Sequence, residues 1–239
     1  MARVKQHRVV RLLIACTVDQ AVSIREDWTR SMFQRLQDEF PRLLGTPLIV
    51  PDQAAAFLRP AEEGGRPAQL CEIRGNNLVV VAETPSSGDM QVLPGFALRL
   101  FDLARDTYHV ERVARVGRVE VAAWTLDADG DAAPEVIRTG LTKLEPEEAA
   151  DVELQFTKHE DMYNINLRLS TNLSSGEPGP TGPPKRDILL TQSDVNNWDV
   201  QGDVTRGVAE DILARGAKHA REEVPAFLRD RLSLQIDEG

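Results

Sequence analysis

The chain has 239 residues, 41% of them hydrophobic, which suits one large or two small globular domains and is too apolar for a disordered chain. Its net charge of -10 argues against nucleic acid as the main partner, because attraction to a phosphate backbone needs a basic surface. Cys16 and Cys71 stand alone in apolar runs, without the number or spacing of a disulfide framework or a zinc site.

Residues 9–18 read as the first strand, with Val10, Leu12, Ile14, Cys16 and Val18 on one face. Basic residues before this run faintly imitate a signal peptide, but Arg11 interrupts it and the apolar part is short. Ser23 and Glu26 have capping-box spacing ahead of a helical stripe, Ile24, Trp28, Met32, Phe33, Leu36 and Phe40, that Pro41 stops. Residues 45–67, rich in Gly, Pro and Ala, read as a connection with a short helical piece around residues 53–58. Strands follow at 68–74 and 77–83, joined by the hairpin pair Gly75-Asn76. After a loop at 85–89, Pro94 suits a first helical turn, and Phe96, Leu100 and Leu103 give a stripe to about residue 105.

Residues 116–126 read as a strand with Trp124 near its end. The loop 127–131 resembles half of a calcium loop, but Gly130 and Arg138 stand where an EF-hand pattern needs other residues, so it reads as an acidic turn. Residues 151–172 give the cleanest signal: Val152, Leu154 and Phe156, then Ile165, Leu167 and Leu169, alternate with polar residues and predict an antiparallel hairpin. Residues 174–185 are a Pro- and Gly-rich loop between strands, also a candidate surface for a partner. Residues 187–192 form the last strand, and a long helix starts at about Asp203, with a kink or a second short helix expected at Pro225. Its apolar stripe covers the sheet or docks on a second copy.

The expected fold is therefore α+β: a mainly antiparallel sheet covered on one face by helices, in the order β-α-β-β-α-β-β-β-β-α with a long C-terminal helix. It is expected as a single domain over residues 1–239, or as two pseudo-similar halves, 1–110 and 111–239. No segment has the length of a membrane-spanning helix, and a cytoplasmic location is expected.

Catalytic groups are sparse. The sequence has no G-x-S-x-G elbow, H-E-x-x-H, P-loop or G-x-G-x-x-G. His7, His109, His159 and His219 each stand alone; His219 with Glu223 reads as a surface pair one helical turn apart, and the alternative is half of a metal site. No catalytic residue, metal ligand or cofactor is therefore assigned. Trp124, Tyr163 and Trp198 are the candidate lining residues for any pocket between the sheet and the long helix.

Residues 113–121 (VARVGRVEV), the strand 188–193 leading into Asp194, and the terminal run 212–232 are similar to a sporadically distributed prokaryotic family of uncharacterised α+β proteins. The resemblance covers most of the chain and implies a fold without an activity. The function expected from these features is a non-catalytic protein-binding or assembly module, with a protein partner or a homodimer contact through the terminal helix. The alternative is a small-molecule-binding protein or enzyme with a pocket between sheet and helix.

Overall fold

A computed structural model describes residues 2–60, 68–127, 132–141, 153–172, 187–197 and 202–236. The first part of the chain forms β1 (Arg3–Val18), α1 (Glu26–Glu39), β2 (Thr46–Val50), β3 (Ala54–Arg59), β4 (Ala68–Arg74), β5 (Asn77–Glu83) and α2 (Ser87–Tyr108). The rest forms β6 (Val113–Asp127), α3 (Ala132–Leu141), β7 (Glu153–Glu160), β8 (Tyr163–Asn172), β9 (Ile188–Asn197), α4 (Arg206–Lys218), a π-helical turn (His219–Glu223) and α5 (Val224–Leu232).

The nine described strands join one antiparallel sheet in the order β2-β3-β4-β5-β1-β6-β9-β8-β7. The hairpin β7–β8 pairs as expected but lies at the edge of the sheet, and the middle belongs to β1. β1 pairs with β6 along nearly its whole length. Its pairing with β5 covers only Arg11 to Thr17, because β5 ends at Glu83 and the chain turns into α2. The first half of β1 therefore has a strand on one side only, with a backbone bridge at its start, where the Val4 N–H donates to the Gln235 carbonyl and the Gln235 N–H to the Ala2 carbonyl.

The register sorts side chains onto two faces. Leu12, Ile14 and Cys16 lie opposite Glu120, Arg118 and Val116 on β6 and opposite Ala82, Val80 and Leu78 on β5, and all of these are buried. The other face carries Leu13, Val79, Val81, Val119, Val121 and Leu190, each half-exposed. Bulges at Lys5 and Val10 break the simple alternation of β1, so Val10 leaves the face that its parity with Leu12 assigns it.

Two apolar cores join the sheet to the helices. One joins Leu12, Ile14, Phe57, Ile73 and Val80 with Met32 and Leu36 of α1, Phe96 and Leu100 of α2, and Ile212 of α4. The second joins Ala122, Trp124, Leu126, Leu169 and Leu189 with Ile137 of α3 and Val224 and Leu228 of α5. Fully buried side chains of this size each stabilise the fold by about 1.5–3 kcal/mol relative to exposure. Of the terminal stripe, Ile212, Leu213, Val224 and Leu228 are buried within the chain, while Val208, Ala217, Ala220 and Phe227 are half-buried.

Several boundaries differ from the sequence reading for local reasons. α1 starts at Glu26 with Arg25 as its N-cap, since the Ser23 hydroxyl donates to Asp52 instead of capping the helix. Residues 54–59 are strand β3, not helix; Asp52, at a φ of 61°, turns the chain back from β2. α2 begins earlier than expected, at a capping box of Ser86 and Asp89, so Pro94 lies inside it. α3 follows the acidic stretch where only a turn was expected. Asp203 does not cap α4; Thr205 does, while Asp203 accepts from the Val113 N–H and from Arg105. The break expected at Pro225 is the π turn, closed by a Val224 N–H that reaches back to the His219 carbonyl. Residues 128–131 of the expected acidic turn and the Pro- and Gly-rich stretch expected as a loop over 174–185 lie outside the described residues.

α3 approaches α5 closely because Gly140 has no side chain: a Cβ there would come within 2.7 Å of the Leu232 Cδ2 and 2.9 Å of the Arg231 carbonyl oxygen. Gly140→Ala is expected to lower stability by about 1–3 kcal/mol through overpacking. Urea unfolding measures it, and an unchanged midpoint would contradict this helix contact.

Candidate functional site

The half of β1 that β5 leaves unpaired borders a cleft of about 880 Å³. This lies in the range of small-molecule pockets. Val4, Lys5, Gln6, His7 and Val9 of β1 form one wall, and Glu120 and Trp124 of β6 lie in its floor. Ser87, Met90 and Gln91 bring in the first turns of α2, while Ala220, Arg221 and Glu222 come from the π turn and Pro225 and Arg229 from α5.

His7 and Trp124 are register partners across β1–β6, so their side chains meet on one face. Their rings stack with centroids 3.9 Å apart at 23°. The indole N–H of Trp124 donates to the Thr191 hydroxyl at 2.9 Å, which anchors the ring to β9. Desolvation lowers the pKa of His7, with the nearby Glu120 carboxylate opposing the shift. The imidazole is therefore neutral at pH 7. It is exposed on the cleft side even though its other face is covered.

Beneath the cleft runs a row of buried polar side chains. Arg118 and Glu120 form an ion pair at 2.9 Å with side chains 2% and 6% exposed. They stand between Val116 and Ala122 on β6, hence between the two apolar cores. Gly216 of α4 rests on the Arg118 stem, since a Cβ there would lie 3.1 Å from the Arg118 Cβ. On β9 the Ser193 hydroxyl meets Nδ1 of His219 at 2.7 Å, both groups buried. Burial lowers the pKa of His219, and neighbouring Glu223 partly offsets it.

His219 and Glu223 were expected as a surface pair. The wide π turn instead points His219 inward, and Glu223 binds Arg215 at 2.8 Å. Among the expected lining residues, the structure brings Trp124 into the cleft. Tyr163 lies elsewhere, half-buried at the start of β8 beside the first core. Trp198 lies outside the described residues. His159 and Glu160 end β7 at the hairpin turn, where Glu160 pairs with Lys158 and Arg215.

The sequence reading missed His7, Glu120 and the buried Arg118. One signal was present. Arg118 and Glu120 share the parity of Ala122, Trp124 and Leu126, which places all five on one face of a strand. No family model and no curated protein matches the chain. Among the described residues, no group of three or more His, Cys, Asp or Glu could hold a metal ion, and no helix is long and apolar enough to cross a membrane.

Removing one member of the buried ion pair leaves an uncompensated charge. Glu120→Leu alone is expected to cost about 3–5 kcal/mol, and the double replacement Arg118→Met with Glu120→Leu to cost much less. Chemical denaturation of the singles and the double checks this, and additive losses would contradict a closed pair. Because His7 and His219 have folded pKa values below 6.5, the unfolded chain takes up protons first as the pH falls. Stability is then fully present above pH 6.5 and declines below it, down to the folded pKa values. Unfolding curves at pH 7.5 and 5.5 should differ in the wild type and converge in a His7→Gln, His219→Gln variant.

Proposed function

We propose that the chain is a non-catalytic binding protein whose ligand is a small molecule held in the cleft between β1–β6 and the helices α2 and α5. The single observation that carries this reading is the stacked His7–Trp124 platform lining a concave space of about 880 Å³. Such a space exceeds what packing imperfections leave in a filled sheet–helix interface. Ser87, His7 and Glu120 share the cleft but no hydrogen bond joins them, and Glu120 is committed to Arg118. The Ser193–His219 pair has the spacing of an activated nucleophile, yet both residues are buried and neither lines the cleft. The groups that could react are thus either unaligned or closed off. Two free, buried thiols suit a reducing compartment, in keeping with a cytoplasmic setting.

A fragment screen read by amide and side-chain NMR tests the reading. Hits are expected to shift His7 and Trp124 together. Hits that all map elsewhere would remove the cleft as the site.

A second reading, association with a protein partner or a second copy, is favoured by the sheet. We read the helices as one layer, since residues of both cores project from the same side of β6, while Leu13, Val81, Val119 and Val121 on the other side are half-exposed and belong to neither core. On that open side the edge strand β2 shows Leu48 54% and Val50 49% exposed. Light scattering is expected to give twice the 26.5 kDa chain mass at micromolar concentration, returning to one chain mass in a Leu48→Lys, Val50→Lys variant. A wild type that stays at one chain mass would set this second reading aside. On either reading the chain is one domain of two like halves, each running strand, helix, antiparallel meander and helix.

A further inference from the structure

Resting on the reading of the cleft as a small-molecule site, we infer that its ligand is an organic anion with a flat ring, the ring lying on the open face of His7 and the anionic group meeting Lys5 and Arg221.

Charge is the first argument. The chain has 38 acidic against 28 basic residues, so an average stretch of its surface is acidic. The cleft reverses that balance. Lys5 and Arg221 line it against Glu222, while Arg229 is balanced by Asp230 and the other acid, Glu120, by the buried Arg118.

Pairing is the second. About half of the described arginines elsewhere are engaged by carboxylates, as in Arg59–Asp89, Arg99–Glu39, Arg105–Asp203 and Arg215–Glu223. Among the described residues Lys5 and Arg221 make no ion pair, although both are exposed in a chain rich in carboxylates. Two cations left without partners in the lining of one concavity hold a positive field in it, and low-dielectric walls focus such a field.

The third argument concerns the ring. Trp124 covers one face of His7, and the other face is exposed in the cleft beside the apolar Val9 and Met90. Since desolvation keeps the imidazole neutral at neutral pH, His7 offers a stacking plane and leaves the charge to Lys5 and Arg221. A ligand that matches both features is planar at one end and carries a carboxylate, sulfonate or phosphate at the other.

Two fluorescent probes with the same ring system test this. Anilinonaphthalene sulfonate carries the anion, and N-phenylnaphthylamine lacks it. Each is titrated into the full chain, its Lys5→Ala, Arg221→Ala variant and its His7→Ala variant, all in a Leu48→Ser, Val50→Ser background that lowers binding on the open sheet face without adding charge. The sulfonate is expected to bind the parent at least about tenfold more tightly than the neutral probe, and to lose that advantage in the Lys5, Arg221 variant. His7→Ala should weaken both probes. If both bind the parent equally and the charge variant changes neither, the site stands and the anionic class is wrong. If neither probe binds, or His7→Ala changes nothing, the cleft reading falls and this inference with it. Unchanged circular dichroism and unfolding midpoints identify variants that remain folded.

Discussion

The antiparallel pairing of β1 with β6 is the constraint from which the rest of the structure follows. These are the two longest described strands, of 16 and 15 residues, and among the described residues no other strand pairing links β1–β5 to β6–β9. β5 matches only part of β1, so the ladder on that side stops while the ladder with β6 continues. The cleft lies where it stops. Its wall is strand on one side and helix ends on the other, because α2 begins directly after β5 and the terminal helix returns over β6.

A polar row between the two apolar cores holds this arrangement in one position. Asn197 accepts from the Val116 N–H and donates to the Ala114 carbonyl, so its amide serves β6 where the ladder with β1 shifts register. Ser193 holds the π turn to β9 through His219. Arg118 lies under Gly216 and neutralises Glu120 at the cleft floor. Buried pairs of this kind add little net stability against an apolar replacement. What they do here is fix where α4 ends and α5 begins, because another register would leave several of these groups buried without partners. Position of the helices over the sheet, rather than strength, is the physical role of the row.

Much of the fold was legible from periodicity. The hairpin β4–β5 has the expected ends, and Gly75 takes the positive φ, 58°, that its turn needs. β7–β8 and the terminal helix also formed where their patterns placed them. The run Ala54–Arg59 misled because three alanines favour a helix locally, while pairing with β2 and β4 decides the outcome. The site was hidden for a related reason. His7 acquires meaning only from Trp124, more than a hundred positions away, and two bulges in β1 shift the parity that would place it. Arg118 and Glu120 look like the wet side of a strand until Trp124 fixes which side is buried.

A crystal structure of the protein purified from its own cell would test the central claim most directly. The account predicts an open cleft beside the first half of β1, with His7 stacked on Trp124 and added density resting on its other face. A β5 that pairs with β1 as far as Val4, or an α2 packed onto Pro225 so that His7 is enclosed and no space remains, would contradict it.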